Sequence, residues 1–203
     1  MFSSAIIENI EEMCAAGLAT KAYYYFDFRD AKKQNREGLL SSLLSQLSTK
    51  SDPGFKILSQ LYSKHAGGTG KPTTSALTKC LKDMLSLRGQ GQIYVIVDAL
   101  DECPDVSGTP SAREEVLELV KELVGLKLSN LRICVASRPE SDIRKSLEPL
   151  EPLQISLHDE SGQKVDIIEY IKSVVRSDTK LKKWRGEDKQ LAIEVLSERA
   201  DGM

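Results

Sequence analysis

An unbroken apolar run, Ile93, Tyr94, Val95, Ile96 and Val97, lies near the middle of the chain within residues 92–102 (QIYVIVDALDE). A strand with one wet face alternates apolar and polar positions. A strand covered on both faces of a parallel sheet does not, and this run predicts such a strand. Residues 131–136 (LRICVA) read the same way, and the aromatic content of residues 22–28 (AYYYFDF) predicts another strand. Residues 153–157 (LQISL) alternate and predict a shorter, last strand. Between these stretches the period changes to that of a helix. Ile6, Ile7, Ile10, Met13 and Cys14 form one stripe, with Gly17 as its stop. Leu39, Leu40, Leu43, Leu44 and Leu47 form the strongest, on residues 37–50. Further helices are predicted from Pro53 to about residue 65, around Leu77 to Leu85, and over 112–124, 140–147, 165–175 and 188–200. Strands alternating with helices predict an α/β fold with a mostly parallel sheet. Residues 1–178 are expected to form that domain, and 179–203 to begin a helical appendage.

Composition narrows the picture. The 203 residues are 40% hydrophobic and 29% charged, with a net charge of -2. These are values of an ordinary globular chain, without the basic excess that would advertise nucleic acid or an anionic membrane as partner. Cys14, Cys80, Cys103 and Cys134 are scattered, with no metal-ligand spacing, and are expected as free thiols. His65 and His158 are too isolated for a histidine metal site. The first residues carry Glu8, Glu11 and Glu12 rather than a basic leader, and no run approaches the length of a membrane span, so a cytoplasmic location is expected.

The chemistry is concentrated where the central run ends. Asp98 closes it, and Asp101 and Glu102 follow at once. Ligands of open α/β sheets bind beyond the carboxyl ends of the strands, and carboxylates placed there suit a hard cation such as Mg²⁺. The alternative is a core strand followed by a solvated acidic turn. A second segment needs care: residues 65–72 (HAGGTGKP) look like the phosphate loop G-x-x-x-x-G-K-[ST]. His65 stands at the first glycine position, Pro72 replaces the hydroxyl, and a helix rather than a strand is predicted upstream. A surface loop is the better reading.

The segments YFDFRD, IYVIVDALDEC and ICVASRPE resemble, in that order, parts of the NACHT domain of STAND-class P-loop NTPases, a large group in fungi with nephrocystin-like nucleotide domains as close relatives. The fold this implies is a three-layer P-loop NTPase-like sheet flanked by helices, lacking its first strand and phosphate loop. In that reading residues 1–7 match the helix just after the phosphate loop, which would lie upstream. The resemblance implies that Asp98 binds Mg²⁺ through water, that Asp101 or Glu102 orients the water attacking the γ-phosphate of ATP or GTP, and that Arg138 is the sensor of that phosphate. Asp27 and Arg29 are read as a local ion pair, and Cys103 as a small buried side chain. Without a phosphate cradle the three acids would repel one another and hold Mg²⁺ weakly, so this chain alone is expected neither to bind a nucleotide tightly nor to hydrolyse it. The absent strand should also leave a slot between residues 131–136 and 153–157, with marginal stability as a result. Self-association, and a parent acting in signalling or self/non-self recognition, are further implications. A non-catalytic interaction module that has kept its helices remains the other reading.

Overall fold

A computed structural model describes residues 2–66, 70–105, 110–155 and 161–199. Helix α1 (Phe2–Ala15) leads into strand β1 (Ala19–Tyr25). Three helices follow: α2 (Arg36–Ser48), α3 (Asp52–Ala66) and α4 (Thr74–Leu85). Strand β2 (Gln92–Asp98), helix α5 (Ala112–Val124), strand β3 (Leu131–Val135) and helix α6 (Ser141–Leu147) continue the alternation, before helices α7 (Ser161–Ser177) and α8 (Gly186–Arg199). Contacts divide the chain into two compact units, Met1–Glu151 and Pro152–Met203. Among the described residues no helix is long and apolar enough to cross a membrane.

The sheet of the first unit has three strands in the order β1-β2-β3, all parallel. The expected α/β class is therefore the observed one. The central position of β2 follows from its sequence. Ile93, Val95 and Val97 point to one face and Ile96 to the other, and all four are buried. The first face carries α2, α4 and α5, with Leu40, Leu43, Leu81, Leu119 and Val116 at its heart. The second is covered by α1 through Ile10, with Ile6, Ile7 and Met13 around it.

Local signals set the ends of these helices. Asn35 accepts the N–H of Gly38 at 2.8 Å to start α2, and Thr73 accepts that of Ala76 at 3.2 Å to start α4. At α5, Ser111 and Glu114 form a reciprocal capping box: the Ser111 hydroxyl oxygen accepts from the Glu114 N–H at 3.1 Å, and the Glu114 carboxylate accepts from the Ser111 N–H at 2.8 Å. Gly91 has a different task. A Cβ there would come within 2.2 Å of the Leu18 carbonyl oxygen. Only glycine lets Gln92 donate to that oxygen at 3.1 Å, which fixes the register of β1 against β2.

Two expectations need correction. The aromatic strand spans Ala19–Tyr25, not 22–28, because pairing begins at Ala19 opposite Gln92 and ends at Tyr25 opposite Asp98. Phe26 keeps one ladder bond, to the Asp98 carbonyl, and Asp27 and Phe28 have left the sheet. Nor is there a strand at 153–155. Leu153 is 92% exposed, and residues 156 and 157 lie outside the described residues. Alternation alone makes no strand where no neighbour offers a ladder. Of residues 65–72, His65 and Ala66 end α3, so a helix does precede that segment, and 67–69 are not described.

The two sheet edges differ. On β1 the Gln46 side chain accepts the Tyr23 N–H at 3.1 Å and donates to the Tyr23 carbonyl at 2.7 Å, closing that edge. Beside β3 no further strand is found among the described residues. In the second unit α7 and α8 pack on each other, with Val175 and Ile193 buried.

Candidate functional site

Because the strands are parallel, Tyr25, Asp98 and Val135 all end at one edge of the sheet. Period-two alternation turns Asp98 to the face of Ile96, the one covered by α1. Gly17, at φ +70°, turns the chain so that α1 lies back along β1, and the Lys21 ammonium reaches the Ile7 carbonyl at 3.4 Å. The amino end of α1 therefore points toward the same edge as Asp98.

The turn after Asp98 is held with care. Ala99 is left-handed (φ 53°, ψ 44°), a conformation that an alanine adopts at a cost of about 1 kcal/mol. Its N–H donates to the Asp98 Oδ1 at 2.9 Å. A short 3₁₀ turn, Leu100–Glu102, follows, with Leu100 wholly buried and its N–H bonded to the Ala136 carbonyl at 3.1 Å. That bond ties the acidic turn to the end of β3. Replacing Ala99 by glycine should remove the strain and raise the unfolding free energy by up to about 0.6 kcal/mol, the unfolded-state entropy of glycine opposing the gain. Chemical denaturation checks this, and a loss of stability would mean that the left-handed turn is not kept in solution.

Asp101 and Arg138 do meet. The Asp101 Oδ1 accepts the Arg138 backbone N–H at 3.0 Å, and its Oδ2 lies 3.4 Å from the Arg138 Nε. The carboxylate is 11% exposed and the guanidinium side 80% exposed, so the arginine is held at its backbone while its head stays in water. Glu102 turns the other way, accepting the Phe28 N–H at 3.1 Å and so linking the β2 and β1 ends. Each of the three acids thus has its own backbone donor. Asp27 and Arg29 form the expected local pair, at 3.0 and 3.1 Å, and this holds the Asp27 carboxyl below its ordinary range. Cys103 is fully buried, and burial pushes its thiol up to about 12, which makes it inert as a nucleophile. The Cys134 thiol is also raised, by burial and then by the Asp98 charge. All four cysteines are free.

The residue that sequence reasoning missed is Arg113. Half-buried at the start of α5, it donates through Nε to the Cys103 carbonyl at 2.9 Å, through Nη2 to the Asp101 carbonyl at 2.8 Å, and through Nη1 to the Asp142 carboxylate of α6 at 3.1 Å. One guanidinium therefore clamps the acidic turn to the helix that follows Arg138. A cation in the first turn of a helix opposes the helix dipole, and that oddity was the available signal.

Mg²⁺ fits this edge only in part. Among the described residues no three His, Cys, Asp or Glu side chains converge on a common point. Asp98 offers a carboxylate tied to no cation, and Mg²⁺ held by one carboxylate completes its shell with water and phosphate oxygens. Asp98 is therefore the residue that would hold the ion, given a phosphate to share it. No curated protein and no solved structure matches the chain. The family model for Nephrocystin 3, N-terminal, matches residues 1–138. That stretch runs from α1 to Arg138 and takes in every acid of the edge, and the chain accordingly belongs to the Nephrocystin 3, N-terminal family.

Proposed function

We propose that the carboxyl edge of the sheet is the magnesium- and water-facing half of a nucleoside triphosphate site, and that the chain is part of a NACHT-type, STAND-class nucleotide switch. The observation that carries this is the Asp101–Arg138 contact, which joins the acidic turn after β2 to the end of β3. In this reading Asp98 holds Mg²⁺, whose role when bound is to neutralise charge on the phosphates. Asp101 or Glu102 positions a water for in-line attack, and Arg138 swings its exposed guanidinium to the γ-phosphate. When the phosphate leaves, Arg138 falls back on Asp101, so the pair would report nucleotide state. The 203 residues hold no complete G-x-x-x-x-G-K-[ST] motif, the loop whose N–H groups and lysine would cradle the phosphates. Binding by this chain alone is therefore expected to be weak and hydrolysis negligible.

A specific observation also favours the second reading, a non-catalytic interaction module. Each acid is already satisfied within the protein, by Ala99, Arg138 and Phe28 respectively. Thermal unfolding with millimolar Mg²⁺ and ATP or GTP separates the two. The switch reading expects a small rise in Tm that vanishes with EDTA and in Asp98→Asn, as binding linkage requires. An equal response of wild type and Asp98→Asn would leave the interaction module as the better account. Micromolar affinity for a fluorescent nucleotide would contradict the weak binding expected here.

A further inference from the structure

The net charge of -2 conceals a strong local excess of the opposite sign in the second unit. Residues 176–185 (RSDTKLKKWR) hold five cations against one carboxylate, that of Asp178. They include the link between α7 and α8, and because these helices pack on each other the link closes their hairpin. Asp178 is committed to the backbone. Its carboxylate accepts the Lys180 N–H at 2.8 Å and starts a 3₁₀ turn, Thr179–Lys183. Residues three apart share one side of such a turn, so Lys180 and Lys183 stand together. Both are exposed, and neither enters a salt bridge among the described residues. Trp184 follows directly, its N–H bonded to the Leu181 carbonyl at 3.1 Å and the residue itself 47% exposed. Arg176 and Arg185 are exposed on either side of the turn, and Arg185 lies 3.4 Å from the Asp188 carboxylate.

We propose that this turn docks on an anionic lipid surface, with Trp184 at the headgroup level and the cations on the lipid headgroups. Tryptophan suits that boundary because its ring is apolar while its indole N–H is polar. A lysine or arginine held near such a surface strengthens binding by about fivefold. The contact is peripheral and reversible, in keeping with one ring and a few charges. Shape chooses a membrane over a nucleic acid. The carboxylates of Glu169, Glu194 and Glu198 are exposed further along the two helices. A polyanion laid along the hairpin would meet them, whereas a plane touching its closed end meets the cations first. A single strand would also need successive rings for successive bases, and the turn offers one. Among the described residues 176–190, Trp184 is the only exposed large hydrophobic residue. That is too little for the dry centre of a protein–protein contact.

Trp184 is the only tryptophan of the chain, so its fluorescence follows the contact without a label. Vesicles of phosphatidylcholine with about a third phosphatidylserine, added to the full chain, should shift its emission to the blue. Pure phosphatidylcholine vesicles should leave it unchanged, and raising the salt should reverse the shift. Lys180→Gln with Lys183→Gln should weaken partition about fivefold for each cation removed, hence about twenty-fivefold together. Trp184→Ala, followed by co-sedimentation with the same vesicles, should weaken it about tenfold. Circular dichroism checks that the variants fold, and the wild-type emission decides the matter whether or not they do. No shift with anionic vesicles, an equal shift with neutral ones, or a folded double lysine variant that partitions like wild type would each overturn the proposal. Quenching of Trp184 by a single-stranded oligonucleotide, with no response to vesicles, would overturn it in favour of nucleic acid.

Discussion

Leu100→Ala is expected to lower the unfolding free energy of the first unit by about 3 kcal/mol, the usual cost of emptying a fully buried leucine site. For a domain of this size that is a fall of roughly 6 to 12 °C in Tm. The side chain is wholly buried within the main core while its own N–H is bonded to Ala136. Leu100 thus anchors the turn that bears Asp101 and Glu102. A cavity beneath that turn should let it move and loosen the Asp101–Arg138 contact. The control is Leu85→Ala at the end of α4, also buried but in the helix that leads to the opposite end of β2. Both variants should lose similar stability in urea. Only Leu100→Ala should also lose the Mg²⁺-dependent thermal shift, and equal retention in both would show that Leu100 supports the core without supporting the edge.

Arg113→Met should cost about 2 to 4 kcal/mol, for different reasons. The carbonyls of Cys103 and Asp101 would lose their donors, and Asp142 would lose its ion pair. Arg113→Lys should recover part of this, because an ammonium keeps the charge but cannot serve three directions at once. The pH dependence adds a second signature. Burial alone would raise the Asp142 carboxyl, but the hydrogen bond and charge of Arg113 outweigh it and hold the group below its ordinary range. A depressed folded value means that the contribution is complete above the unfolded carboxylate value, about 3.9, and is lost as the pH falls through the folded one. Wild type should therefore weaken on acidification across that window more steeply than Arg113→Met. Parallel acid limbs in denaturant titrations would show that the pair contributes nothing. Asp142 is partly exposed, so solvent screening keeps this contribution modest.

Much of this arrangement was legible beforehand, and the reasons differ by element. The central strand and α5 read correctly because burial on two faces and the apolar stripe of Val116, Leu119, Val120 and Leu123 each leave a local mark in the sequence. Helix α2 is marked by its leucines in the same way. Strand β1 was displaced by three residues because aromatic content locates a strand but not its register. That register is set by Gly91 and Leu18, far apart in the chain. Residues 153–155 misled because an alternating pattern says which face would be dry only if a partner strand exists. At the edge itself, Asp98 and Asp101 could be named from their place at the end of the central run and Arg138 from the family resemblance, but their hydrogen bonds could not. Asp101 pairs with Arg138 while Glu102 reaches back to Phe28, a division of labour that adjacent acids in a sequence do not reveal. Arg113 left no mark beyond its charge in the first turn of α5, since its three acceptors come together only once β2, α5 and α6 are in place.

The Glu102–Phe28 hydrogen bond joins positions 74 residues apart in the chain. Every pairing of β1 with β2 encloses the whole of α2, α3 and α4 in the same way. Closing so long a loop is entropically uphill before any ladder bond rewards it, whereas α2 finds α3 and α4 nearby. The helices should therefore collapse first, and the sheet assemble late upon them. The acidic edge, built from the last parts to meet, then inherits the slowest step of the chain's own maturation. During synthesis it would stay unformed until the ribosome had released β3 and the arginine beyond it.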